Sequence, residues 1–230
     1  MLKHLPNAMT CGNLLCGCIG ILFATQGDLV TAAWLILLAG LLDFGDGLVA
    51  RMVGVSGPFG KELDSLADVV TFGVLPSFML FHLLGQHPAH PWLPYLAFAL
   101  AVCGALRLAR FNIDTRQSEQ FLGVPIPANA LVVASLPLMA GAAGGVAGRL
   151  GTFFLSEPFL LAYAVGMSGL MVSELPLMAF KFSSYGWAEN RVKYSFLLAS
   201  VVLLVVLQFT AIPLIISLYI VLSLFFRSSI

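Results

Sequence analysis

The sequence predicts an all-α, polytopic membrane protein, and three observations carry that expectation. Of 230 residues, 60% are hydrophobic and only 10% are charged, where a soluble globular chain carries about 25% charged residues. Mean hydropathy is +0.98. The apolar residues fall in long unbroken runs rather than in alternation, so each run reads as a helix that can satisfy its own backbone in lipid, and a β-barrel is excluded. A soluble enzyme and a disordered chain are excluded by the same composition. The formal net charge is zero and no Lys/Arg run exists, so no nucleic-acid partner is expected.

A helical crossing needs roughly 20 apolar residues. Runs bounded by polar residues, Gly or Pro lie near 13–26, 30–53, 62–84, 91–113, 125–147, 158–178, 194–209 and 212–227, which predicts about eight transmembrane helices. Leu5 to Thr10 reads as a short interfacial segment leading into the first of them. Phe209 to Ile212 followed by Pro213 separates the last two, so a re-entrant hairpin or one broken helix is also open there. The whole of 1–230 is read as one integral-membrane domain.

Eight crossings put both termini on one side, and the basic residues agree. Lys3, Arg51, Lys61, Arg107, Arg110, Arg116, Lys181, Arg191, Lys193 and Arg227 share that side, and Arg149 falls opposite. Positive residues mark the cytoplasmic face. The expectation is therefore an integral protein of the cell inner membrane with both termini in the cytoplasm. The N-terminus does not read as a signal peptide, since no A-x-A cleavage pattern follows Lys3 and His4, and Cys16 lacks a lipoprotein context. Cys11, Cys16, Cys18 and Cys103 match no metal spacing and read as small apolar residues.

Of the eleven acidic residues, five lie between positions 43 and 68: Asp43, Asp46, Glu62, Asp64 and Asp68. A charged Asp inside a bilayer costs about 3 kcal/mol on the insertion scale, so four are not retained for packing. Gly54, Ser56, Gly57 and Pro58 mark a turn, and Asp43 precedes it by about as much as Asp68 follows it. Asp46 and Asp64 are matched in the same way. Asp43 and Asp46 are spaced i,i+3, and Asp64 and Asp68 i,i+4, so each pair occupies one helix face. In an antiparallel hairpin all four carboxylates converge, the outer pair on the order of 15 Å below the turn.

Clustered carboxylates repel unless cations neutralise them. All-oxygen ligation suits Mg²⁺ or Mn²⁺, and four carboxylates suit two ions. Arg51 on the same helix suits a phosphate, and Gly47 and Gly60 let a ligand approach the backbone. Together they predict a diphosphate site at the membrane boundary, for a substrate with a lipid tail.

Asp43-x2-Asp46-Gly47-x2-Ala50-Arg51-x8-Gly60-x3-Asp64-x3-Asp68 resembles the signature of the CDP-alcohol phosphatidyltransferases, with eight fixed positions. Leu5-Pro6-Asn7-Ala8-Met9-Thr10, Asn13 to Gly17, Leu63 to Asp68, Ala105 to Asn112 and Gly123 to Ala128 resemble the phosphatidylserine synthase branch. The resemblance covers roughly residues 5–180, the expected catalytic core, and leaves the C-terminal helical pair at about 194–227 without a motif.

The resemblance implies transfer of a phosphatidyl group from CDP-diacylglycerol to an alcohol, with release of CMP. It implies that Asp43, Asp46, Asp64 and Asp68 bind metal and that Asp68 is the general base. A serine hydroxyl is a poor nucleophile until a base takes its proton, so that role is chemically sound. Asn7, Thr10, Gly47, Arg51, Ser56 and Gly60 are expected to contact the nucleotide. Related chains often carry Ser or Thr where this one has Gly57, and Ser56 is the substitute. For the acceptor, L-serine, or for a phosphate, Lys61, Arg107 and Arg110 are candidates, against plain anchoring at the headgroups. Family likeness implies a homodimer among membrane lipids.

Sister activities with glycerol phosphate or inositol phosphate as acceptor, a polyprenyl-diphosphate transferase and a transporter are the alternatives. The tight spacing of the aspartates with Gly47 and Arg51, and the lack of an internal repeat, weigh against the last two. His82, His87 and His90 fall on the side opposite the carboxylates and read as interfacial. Glu174 reads as a cap or a partner for Lys181. Gly141, Gly144, Gly145 and Gly148 permit either close helix approach or a loose loop.

Overall fold

A computed structural model describes residues 4–55, 57–86, 90–113, 121–139, 145–177 and 186–225. Among the sequence candidates, Lys3, Ser56, His87, Arg116, Gly141, Gly144, Lys181 and Arg227 lie outside the described residues. The described chain is almost wholly helical, as its composition requires. Its helices are α1 (Leu5–Thr25), α2 (Leu29–Val53), α3 (Pro58–Asp68), α4 (Leu75–Gly85), α5 (Ala99–Ile113), α6 (Ile126–Met139), α7 (Gly145–Phe154), α8 (Glu157–Val172), α9 (Trp187–Leu207) and α10 (Ala211–Phe225). A π-helical turn, Val69–Val74, joins α3 to α4, and a 3₁₀ turn, Leu93–Phe98, leads into α5. The pairs Phe121–Leu122 and Pro176–Leu177 form a minimal antiparallel ladder.

Five stretches are long and apolar enough to cross a membrane: Leu5–Thr25, Leu29–Val53, Pro58–Gly85, Leu93–Ile113 and Asn190–Phe225; α7 with α8 makes a sixth candidate, bent by 66°. The stretch from Asn190 is not one rod. Gln208 adopts φ 50°, ψ −130°, and the Phe196 and Tyr219 rings, equidistant from that break, lie 6.1 Å apart. The chain therefore turns back there, and the expectation of about eight crossings stands as an approximate count.

One expected boundary moves. The interfacial segment Leu5 to Thr10 is instead the start of α1, because Pro6 is tolerated in a first helical turn and nothing breaks the helix before Gln26. The part of the expected span 125–147 described before residue 140 is α6, which runs to Met139, two residues after Pro137. Gly145 then takes φ 63° before α7 begins. Helix α6, 14 residues long, is about 21 Å, and most of its residues are buried, with Leu131 exposed.

The loops between helices follow from local chemistry. Asp28 accepts the Thr31 amide at 3.0 Å and caps α2. That bonding from Thr31, side chain and backbone, holds the Asp28 carboxyl below the usual carboxylate range. Gly54 ends α2 in the left-handed region at φ 68°, and Pro58 opens α3.

Small residues set how closely the elements approach. The buried face of α1 is Pro6, Thr10, Asn13, Cys16, Gly17, Gly20 and Ala24. A Cβ on Gly17 would meet the Thr71 hydroxyl and lie 3.0 Å from the Thr71 Cα, and one on Gly20 would press into Leu75. Helix α1 thus lies directly on the π turn and on α4, and it also packs along α2 and α3. The α2 and α3 backbones, by contrast, stand apart. The expected tight hairpin is a wedge, with α1 across both arms. On the outside of α2, Val30, Trp34, Leu38, Leu41, Phe44, Leu48 and Met52 form an exposed apolar stripe at helical spacing, which is the surface a helix presents to lipid.

Gly17 and Gly40 provide a direct test of this packing, since nothing lies within 4 Å of a Cβ at Gly40. Gly40→Ala is expected to raise stability by roughly 0.5–1 kcal/mol through helix propensity. Gly17→Ala is expected to lower the thermal midpoint in detergent, read by thiol-reactive dye fluorescence, because Thr71 must move.

Candidate active site

Three carboxylates meet where the arms of the wedge are bridged. Asp43 from α2 and Asp64 and Asp68 from α3 each bring an oxygen within 4.8 Å of the others. At an effective dielectric near 20, two unit charges at that distance repel by on the order of 3 kcal/mol per pair. The three pairs together rival the whole stability of a typical domain, about 5–15 kcal/mol. Lys61, which lines the same cavity as Asp64, turns its ammonium to the Asn112 carbonyl. Asp64 Oδ1 is buried without a hydrogen-bond donor. A close all-oxygen set with a free buried lone pair fits a hard divalent cation.

Asp46 stands beside this trio and not within it. Its carboxylate is buried and accepts from Thr10 Oγ1 at 2.5 Å. The same hydroxyl lies 3.1 Å from the Pro6 carbonyl, so α1 clamps Asp46 from the side. The sequence grouped all four aspartates by register. The i,i+3 turn between Asp43 and Asp46, combined with the lean of α1, separates one of them.

Above the carboxylates a cavity of about 430 Å³ opens between α1, α2 and α3, within the size range of small-ligand pockets. Asn7, Thr10, Asp46, Gly47, Gly60, Lys61 and Asp64 line it. Of the residues expected at the nucleotide, Asn7, Thr10, Gly47 and Gly60 therefore face one space, while Arg51 is exposed and outside the lining set. A Cβ at Gly60 would lie 3.5 Å from Asn7 Oδ1, and one at Gly47 would meet nothing. Both glycines leave room where a ligand enters. Gly57 also lines the cavity.

The three candidate cations hold backbone. Lys61 lines the cavity but donates to the Asn112 carbonyl at 3.1 Å. Arg110 donates to the Val172 carbonyl at 3.2 Å, where the last turn of α8 exposes acceptors. Arg107 is only 5% exposed; it reaches the Gly123 carbonyl at 3.4 Å and leaves Nε without a partner. Gly123 is required there: φ is 72°, and a Cβ would sit 2.6 Å from the Met171 carbonyl. Arg107 and Arg110 thus tie the two-residue ladder and the helix ends beside it to α5. His82 sits against Gly27 at the opposite end of the bundle, whereas His4 lines the cavity.

Asn13 was missed as a site residue. It is fully buried, and its Nδ2 donates to Asp68 Oδ1 at 3.1 Å. Its backbone carbonyl accepts Thr71 Oγ1 at 3.0 Å, so side chain and main chain together fix Asp68 and the turn that follows it. The signal was present: Thr10, Asn13, Gly17 and Gly20 repeat at helical spacing in the first apolar run. Asn112 likewise donates to Ser65 at 3.0 Å and braces α3 between the acids.

A family model described as CDP-alcohol phosphatidyltransferase matches residues 3–225. The chain belongs to the CDP-alcohol phosphatidyltransferase family. A CDP-diacylglycerol–serine O-phosphatidyltransferase of Helicobacter pylori is 35% identical over 178 residues, covering 76% of this chain and 72% of that protein. One of Bacillus subtilis is 33% identical over 185 residues, covering 78% and 93%. An archaetidylserine synthase of Methanothermobacter thermautotrophicus is 35% identical over 175 residues, covering 74% and 68%. Membership accounts for the spacing of the acids, and the wedge gives that spacing its physical sense.

Metal binding checks the geometry directly. Mn²⁺ titrated into the purified protein and followed by electron paramagnetic resonance is expected to bind, and Asp43→Asn or Asp64→Asn to weaken it. Asn13→Leu removes the amide that orients Asp68 and is expected to cost roughly 10- to 100-fold in affinity, as loss of an outer partner of a ligand does.

Proposed function

We propose that the protein is a phosphatidylserine synthase, moving the phosphatidyl group of CDP-diacylglycerol to L-serine and releasing CMP. The observation that carries the reading is the meeting of Asp43, Asp64 and Asp68, with Asp64 also lining a ligand-sized cavity beside Asp46. Serine is common to the names of the bacterial relatives and of the archaeal one, which supports it over glycerol phosphate or inositol phosphate as acceptor. The cavity also offers one lysine rather than the dense basic lining a phosphorylated acceptor calls for.

In this reading the diphosphate lies between α2 and α3, with the nucleotide toward Asn7, Thr10, Gly47 and Gly60. Asp43, Asp46, Asp64 and Asp68 would hold two Mg²⁺ or Mn²⁺ ions, which when bound offset charge on the diphosphate and on departing CMP. Asn13 occupies one oxygen of Asp68 and leaves the other to take the proton of the serine hydroxyl. The serine oxygen then bonds to the phosphatidyl phosphorus as its bond to CMP breaks. Lys61 at the cavity wall and the unpartnered Nε of Arg107 are the cations assigned to the serine carboxylate or a phosphate.

By their position in the sequence Arg51, Lys61, Arg107, Arg110, Arg191 and Lys193 fall on one side of the membrane and Arg149 on the other, which supports a cytoplasmic site in an inner membrane. A homodimer is part of the proposal, resting on family likeness.

Purified protein with Mn²⁺ and CDP-diacylglycerol is expected to release CMP only with L-serine, and mass spectrometry should find phosphatidylserine. Asp68→Asn is expected to slow turnover by roughly 10²- to 10⁴-fold, the contribution of a general base. Full turnover by that variant overturns the base assignment, and preference for another alcohol overturns the acceptor.

A further inference from the structure

A groove of about 480 Å³ runs between α9 and α10, away from the carboxylates. Its walls are Phe196, Ala199, Leu218 and Leu222, with Arg191 and Ser195 at one end. Arg191 and Ser195 are spaced i,i+4 and therefore share a helix face. Among the described residues neither has an intramolecular partner. Buried hydroxyls of the bundle turn inward instead: Ser77, Ser200 and Ser223 each direct the hydroxyl to the carbonyl four residues back, at 2.8 Å. Ser195 is exposed on the same helix face as the Arg191 guanidinium.

The order along the groove is polar, then apolar. Arg191 stands in the second turn of α9, and Ala199 lies about 12 Å further along the helix. A planar guanidinium with an adjacent hydroxyl matches a phosphate group. The apolar walls beyond match an acyl chain, which van der Waals packing would hold there. Arg191 has no acidic partner among the described residues, so a headgroup with net negative charge fits better than a zwitterionic one, which brings its own cation.

We propose that the α9–α10 groove is a second lipid site that binds one anionic phospholipid, its phosphate on Arg191 and Ser195 and one acyl chain along Phe196, Ala199, Leu218 and Leu222. The proposal rests on the membrane setting alone and not on the transferase reading. It assigns a purpose to the C-terminal helical pair, which carries no signature residues.

Native mass spectrometry in detergent with added dioleoylphosphatidylglycerol or dioleoylphosphatidylcholine tests it. The wild-type protein is expected to retain one phosphatidylglycerol in preference to phosphatidylcholine. Loss of a charge-assisted contact in Arg191→Gln should cut that retention about tenfold. Ala199→Trp, which fills the groove without touching charge, should do the same, while Arg191→Lys keeps part of it and Asp68→Asn keeps all. Equal retention by wild type and Arg191→Gln overturns the site. So does equal retention of the two lipids, or a change in Arg191→Gln confined to the number of copies per assembly, which would make the groove a contact between copies.

Discussion

Mutual repulsion among three carboxylates inside a membrane helix bundle is the constraint on which the rest of the structure depends. Asp43, Asp64 and Asp68 sit within 4.8 Å of one another, and Lys61, which shares a cavity wall with Asp64, gives its ammonium to the Asn112 carbonyl instead. Such a cluster is costly wherever the solvent is lipid. It persists only where its charge is taken up by something the chain does not itself supply. Asp64 also lines the cavity between α1, α2 and α3, so a cation held by the cluster would face that space.

Helix α1 converts that constraint into geometry. It carries no acidic residue, yet it sets three of the relations that define the site. Thr10 draws Asp46 aside, Asn13 orients Asp68, and Gly17 admits the π turn to within contact. A π turn widens the helix by one residue and is found disproportionately at functional sites. Here it follows Asp68 directly and is pinned by the bond from Thr71 to the Asn13 carbonyl. A polar residue buried in a membrane helix is most economical when it serves another polar residue, and both Thr10 and Asn13 do.

The basic residues divide by task. Arg107 and Arg110 hold helix ends and the short ladder, Lys61 bridges the cavity wall to α5, and Arg191 lies at the head of an apolar groove. Charge at the membrane boundary orients a protein whatever else it does. The same residues can therefore fix topology and bind groups of opposite sign, and only their partners distinguish the two.

Much of this was legible in the residues alone. The apolar runs determined a helical membrane protein, since lipid leaves the backbone no other economical fold. The spacing of Asp43, Asp46, Asp64 and Asp68 about Gly54 and Pro58 determined that acids would meet at equal depth, because helical rise and period are fixed quantities. What tertiary structure alone decided was which of them meet. The lean of α1 holds α2 and α3 apart, and Thr10 withdraws Asp46, a consequence of packing between segments about 35 residues apart in the chain. The role of Asn13 and the fold-back at Gln208 were hidden for the same reason. Local pattern describes one helix at a time, whereas hydrogen bonds between helices depend on where small residues let two backbones touch.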